Sequence, residues 1–105
     1  MNKISIIIRT LNEAKYLQEL LDGIKQQELR DFPVETIVVD SGSDDGTIDI
    51  ATNNNCKLIH IKKSEFSFGR SLNVGCQNAS GDIYVIISGH CIPVDKYWLK
   101  NLVTP

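Results

Sequence analysis

At 105 residues, 42% of them hydrophobic and 23% charged, the chain has the size and composition of one globular domain, which excludes a disordered or fibrous polymer. A net charge of -2, with basic residues scattered apart from Lys62-Lys63, gives no general attraction to nucleic acid or to an anionic membrane surface.

Residues 4–8, ISIII, form a short β-branched run of the kind that makes a strand buried on both faces. Over 14–27 the apolar positions Leu17, Leu20, Leu21 and Ile24 fall on one helical face. A second strand is predicted over 36–39, TIVV, ended by Asp40-Ser41-Gly42. Asp45-Gly46-Thr47 reads as a helix start, with Ile48, Ile50 and Ala51 following, and 57–61, KLIHI, as a third strand. Helical spacing returns over 69–79, with Leu72, Val74 and Cys76 as inward candidates. Ser80-Gly81-Asp82 makes a turn before a fourth strand over 83–87, and a last helix over 94–103 carries Tyr97, Trp98, Leu99 and Leu102.

Strands alternating with helices of about ten residues imply right-handed crossovers, hence an α/β fold: a mostly parallel sheet covered by helices on both faces. No internal repeat or low-complexity stretch divides residues 1–105, so a single domain is expected. A four-strand unit leaves a sheet edge open, which suggests the first half of something larger and leaves room for a homodimer. No apolar run approaches the roughly 20 residues of a membrane helix, and Met1-Asn2-Lys3 leads directly into a strand. A cytoplasmic protein is expected, with peripheral attachment at the inner face of the membrane left open. Cys56, Cys76 and Cys91 are widely spaced without a C-x-x-C pair, so they are read as reduced, packed thiols.

In an open parallel sheet, ligands bind beyond the carboxyl ends of the strands. The segments after the four strands are Arg9 to Glu13, Asp40 to Gly46, Lys62 to Phe66 and Ser88 to Cys91, all polar and expected on one rim. Asp40 ends an apolar run, where a carboxylate needs a partner; a turn cap or a ligand would each provide one. Asn12 with the helix from Ala14 is equally a cap signal. Gly42 and Gly46 suit tight turns, and Asp45 is read as the cap of the second helix. Arg70 and Asn73 share one face near the start of the third helix, where a cation and an amide suit a diphosphate or plain solvent. Phe66 and Phe68 are read as packing for their loop, and His60 as structural.

The segments IIIRTLNE, IVVDSGSDDGT and FSFGRSLNVGCQNASGDIYVIISGHCIP, in this order and spacing, resemble family-two glycosyltransferases of the A-type nucleotide-sugar-binding fold, rhamnosyltransferase-like members especially. The resemblance covers nearly the whole chain. It implies a Rossmann-like, nucleotide-sugar-binding half of an inverting transferase that moves a sugar from a nucleotide-diphosphate donor to an acceptor hydroxyl in polysaccharide or glycoconjugate synthesis. It assigns Asp40 to the nucleotide base, and Thr10 and Glu13, with Asn12 between them, to the base and ribose. From their own placement, and not from the resemblance, Arg70 and Asn73 are read as meeting the diphosphate, and Ser88 as meeting ribose or a metal-bound water. The family's Asp-x-Asp at the fourth strand's end is replaced here by Ser88-Gly89-His90. The cation that motif would hold falls to His90, whose imidazole suits Mn2+ better than Mg2+. The general base is expected beyond Pro105, so no catalytic residue is assigned. The competing readings are a non-catalytic nucleotide-binding module and a Rossmann dinucleotide enzyme. The second is disfavoured because no G-x-G-x-x-G follows the first strand. A sugar nucleotidylyltransferase is disfavoured because no glycine-rich basic loop stands there.

Overall fold

The computed structural model describes residues 3–27, 33–62 and 68–89, and of 68–72 the backbone alone. Phe66, His90, Cys91 and the helix expected over 94–103 lie outside the described residues, as do the side chains of Phe68, Arg70 and Leu72. The elements run β1 (Ile4–Thr10), α1 (Ala14–Lys25), β2 (Val34–Asp40), α2 (Thr47–Asn53), β3 (Lys57–His60), α3 (Phe68–Gln77) and β4 (Ile83–Ser88). Strand order is β3-β2-β1-β4, and every neighbouring pair is parallel. The expected α/β architecture is therefore the observed one.

The β-branched run of β1 makes it the central strand, because its alternate residues feed two separate cores. Ile4, Ile6 and Ile8 join Val38 and Val85 under Leu17, Leu20, Leu21 and Ile24 of α1 and Ala51 of α2. Ile7 joins Ile37 and Val39 on the other face, where Val74 and Cys76 of α3 pack. Burying an isoleucine or leucine is worth about 1.5–3 kcal/mol, against about 1 kcal/mol for a typical cap. The apolar stripe therefore docks α1, and capping decides only where the helix begins.

Several boundaries differ from the sequence reading by one or two residues, and the one that bears on the site is the first strand, which that reading ended at Ile8. Arg9 and Thr10 continue β1, in register with Ser88 of β4 and with Val39 and Asp40 of β2. A central strand is held on both sides, so polar residues at its end stay in the ladder. His60 is the exposed last residue of edge strand β3, opposite Asp40. Cys56 and Cys76 are free and half-buried.

At the amino end of the sheet, the turn before β4 is tied to β1 and β2. Gly81 N–H donates to Ser5 Oγ at 2.9 Å, Ser5 Oγ donates to Glu35, and Ser80 N–H donates to Glu35 Oε2 at 2.7 Å. These bonds help to fix the level at which the opposite end of β4 emerges.

Candidate functional site

The chain moves from β1 outward through β2 to β3, then returns to the other side of β1 as β4. The order reverses between β1 and β4, and at such a switch point the loops beyond the carboxyl ends part to leave a crevice. Thr10, Ser88 and Gly89 stand at that place, with Gly89 N–H donating to Arg9 O at 3.0 Å.

Asp40 organises the neighbouring loop. Its residue is 0% exposed, yet its carboxylate is fully partnered. Oδ1 accepts from Thr10 Oγ1 at 2.8 Å and from Ser43 Oγ, while Oδ2 accepts from Gly42 N–H at 3.0 Å and Ser43 N–H at 2.8 Å. A carboxylate offers about four acceptor directions, and these donors fill them. Burial alone pushes its pKa up, but the bonds from Ser43, Thr10 and Gly42 outweigh that and hold it below the ordinary aspartate value. The arrangement is an Asx turn, made possible by Gly42 at φ 96°.

Ser41 presents the opposite case. It is 0% exposed and its N–H donates to Thr10 O at 3.1 Å, but its hydroxyl is buried without a hydrogen-bond partner. Such an orphan is costly in a folded protein and calls for a reason. The sequence reading passed Ser41 over, because a serine within a polar turn carries no signal of whether its hydroxyl finds a partner.

The loops after β1 and β2 are bonded into one unit. Asn12, at φ 55°, receives Asp44 N–H on its Oδ1 at 2.9 Å, and its own N–H donates to Ser43 Oγ at 2.8 Å. Glu13 N–H donates to Thr47 Oγ1 at 2.9 Å, and Ala14 N–H to Asp45 Oδ2 at 3.1 Å. Asp45 Oδ1 also accepts from Thr47 N–H at 3.1 Å and from Thr47 Oγ1. The N-cap of α2 is Gly46, not Asp45 as the sequence suggested; Asp45, one residue earlier, bonds the first helical amide and reaches across to α1 as well. Its pKa is held low, first by the Thr47 hydroxyl. Asn12 does not cap α1: the N-cap position belongs to Glu13, which makes no side-chain cap bond.

Gly89 packs against the loop after β1. A Cβ there would lie 2.8 Å from Glu13 Cγ and 3.0 Å from both Glu13 Cβ and Thr10 Cγ2. The end of β4 therefore rests directly on Glu13 and Thr10. Of the residues singled out in the sequence, Thr10, Asn12, Glu13, Asp40 and Ser88 meet on this rim. Asn73 is exposed on α3, one turn after Arg70. Among the described residues no three His, Cys, Asp or Glu side chains cluster as a metal site.

Residues 5–105 match the family described as Glycosyl transferase family 2. Similar proteins include the O-antigen chain rhamnosyltransferase RfbN of Salmonella typhimurium, 33% identical over 96% of this chain and 32% of its own length. A diacetamido-dideoxy-glucuronosyltransferase acting on a dolichyl phosphate sugar in Methanococcus voltae is 31% identical, over 99% of this chain and 34% of its own. Among solved structures, a mannosyltransferase from Pyrobaculum calidifontis in complex with GDP-Man and Mn2+ superimposes with a TM-score of 0.78 at 30% identity, covering 97% of this chain and 32% of that one. Staphylococcus aureus TarS in complex with UDP-GlcNAc gives 0.77 at 29% identity, over 95% of this chain and 30% of that one. The chain spans about a third of the length of the curated relatives just described. The parallel sheet, its rim and these matches together identify the chain as a member of glycosyl transferase family 2.

Proposed function

We propose that this chain is the donor-binding part of an inverting glycosyltransferase, and that a nucleotide-diphosphate sugar enters the crevice between β1 and β4. The observation that carries the reading is the orphaned hydroxyl of Ser41 at the carboxyl end of β2. Ser41 follows β2, one strand away from the switch point, and its N–H reaches Thr10 O at the end of β1; a buried hydroxyl without a partner on that rim is where a ligand's polar atom belongs. Asp40 takes part indirectly: it holds the turn that presents Ser41, in place of the direct base contact implied by the resemblance. Thr10, Asn12 and Glu13 line the same rim, and Ser88 stands opposite them.

In the transfer, the acceptor oxygen attacks the anomeric carbon as the bond to the diphosphate breaks, and the diphosphate leaves with the electron pair. The acceptor proton passes to a base that the resemblance places beyond Pro105. Arg70 and Asn73 serve the departing diphosphate, as electrostatic stabilisation of developing charge. A divalent cation belongs to the reading because the Pyrobaculum enzyme holds Mn2+ with its donor. His90 is the side chain proposed to take it, with Mn2+ preferred to Mg2+. The setting is cytoplasmic, with peripheral attachment at the inner membrane face and pairing of two copies through a sheet edge as further expectations of the sequence.

The test is calorimetric titration of the chain with UDP, GDP and dTDP, with Mn2+ or Mg2+, repeated on Ser41→Ala. One hydrogen bond is worth about 1 kcal/mol, so the loss in affinity should be about fivefold. Without nucleotide the same variant should unfold at an equal or higher temperature, because an unsatisfied group has been removed. A drop in that temperature with unchanged affinity would make Ser41 structural and remove the main support for the reading. Binding of nucleotide without donor turnover, by a chain extended past Pro105, would favour a non-catalytic module.

A further inference from the structure

We infer that Asp45 and Thr47 are positioning residues that hold the loop after β1 in its donor-binding arrangement. The inference rests on the donor-site reading above. Its basis is the join between two loops that have no covalent reason to move together. Asp45 Oδ1 is committed to α2 through Thr47 N–H and hydroxyl, whereas Oδ2 accepts Ala14 N–H at 3.1 Å. Thr47, 0% exposed, gives its hydroxyl hydrogen to Asp45 and accepts Glu13 N–H at 2.9 Å. Glu13 N–H and Ala14 N–H, two donors at the start of α1, are thus satisfied by the loop after β2.

The consequence falls on Glu13, whose Cβ and Cγ abut Gly89 at the end of β4. With Thr47 fixing its amide and Gly89 against its side chain, Glu13 is set between the loop after β2 and the switch point. Without the tie, α1 stays docked through its leucines and Asn12 keeps its bonds to Ser43 and Asp44, but Glu13 N–H and Ala14 N–H lose the acceptors that join the start of α1 to α2. The loop is then found in the binding arrangement for only part of the time, and apparent affinity falls by that fraction.

Four variants separate this role from plain helix capping. Thr47→Val keeps the shape but removes the acceptor for Glu13 N–H. Asp45→Asn leaves one acceptor oxygen, which can serve α1 or α2 but not both. Thr47→Ser restores the hydroxyl. Ile24→Val, a mild core truncation at the far end of α1, lowers stability without touching the rim. Titration with UDP, GDP or dTDP, whichever binds the parent chain, should show about tenfold weaker binding for Thr47→Val and Asp45→Asn. Thr47→Ser and Ile24→Val should bind as the parent does. Amide hydrogen exchange without nucleotide should be faster at Glu13 and Ala14 in the first two variants only. Parent-like affinity in Thr47→Val and Asp45→Asn overturns the inference, as does a loss that follows the unfolding temperature through all four. If the parent binds no nucleotide, the donor-site reading fails; the exchange rates still decide whether the tie holds the loop.

Discussion

The environment of Asp40 shows how a buried charge can organise a loop. Its oxygens collect two backbone and two hydroxyl donors, and the hydroxyls come from two segments, Thr10 at the end of β1 and Ser43 in the loop after β2. Asp40→Asn keeps the shape but turns one acceptor into a donor facing donors. A buried polar group left unsatisfied costs about 1–3 kcal/mol, so unfolding of this variant by denaturant should show a loss of about 2–3 kcal/mol. The pH dependence has a definite sign. The folded pKa of Asp40 lies below its ordinary 3.8, so its contribution is complete above that value and is lost as pH falls through the folded one. Glu35 acts in the same direction below 4.5: burial raises its pKa, but bonds from Ser5 and Ser80 and the charge of Lys3 outweigh it. Stability of the parent should therefore fall as the solution is acidified below about pH 4. Asp40→Asn should show a shallower fall over the same range, and equal slopes would mean that Asp40 does not carry this acid sensitivity.

Among the elements, α3 is seated most tightly where it has least side chain. Gly75 is buried against β1, and a Cβ there would lie 2.4 Å from Ile7 Cγ2. Two effects of Gly75→Ala oppose each other. Alanine gains about 1 kcal/mol of helix propensity over glycine, whereas overpacking a filled core costs about 1–3 kcal/mol. Ile7 is 1% exposed between β2 and β4, so it has little room to yield. Overpacking should win, and a lower thermal midpoint for Gly75→Ala checks it; a higher one would show that α3 can slide. The apolar stripe of α1 and the β-branched run of β1 made those two elements legible in the sequence, because periodicity alone encodes burial. Gly75 and Gly89 were not legible as contacts. A glycine acquires that meaning only when a particular strand is brought against it, and sequence spacing does not say which strand.

At the level of the whole molecule, the polar rim could be read in advance because parallel crossovers deliver every strand's carboxyl end to one side. The position of β4 beside β1, and so the crevice, could not, since four apolar runs do not state their order. The same topology decides between two places where an anionic nucleotide might go. At the opposite, amino end of β2 and β3, a groove is lined by Lys25, Val34, Glu35, Asn54, Asn55 and Lys57, and its lysines make it the electrostatic competitor. Those ammonium groups are already engaged, Lys25 with Asn54 Oδ1 at 2.6 Å and Lys57 with Asn78 O at 2.9 Å, and the groove also holds the Glu35 carboxylate. The rim instead offers an orphaned hydroxyl and loops already bonded into place, so less order remains to be imposed on binding. Adding nucleoside diphosphate should therefore slow amide hydrogen exchange at Asn12, Glu13, Asp44 and Gly89 and leave Asn55 and Lys57 unchanged. A Lys25→Ala, Lys57→Ala double variant should keep the parent's affinity. Protection centred on Asn55 and Lys57, or lost with the two lysines, would move the nucleotide to the wrong end of the sheet for transfer at the switch point.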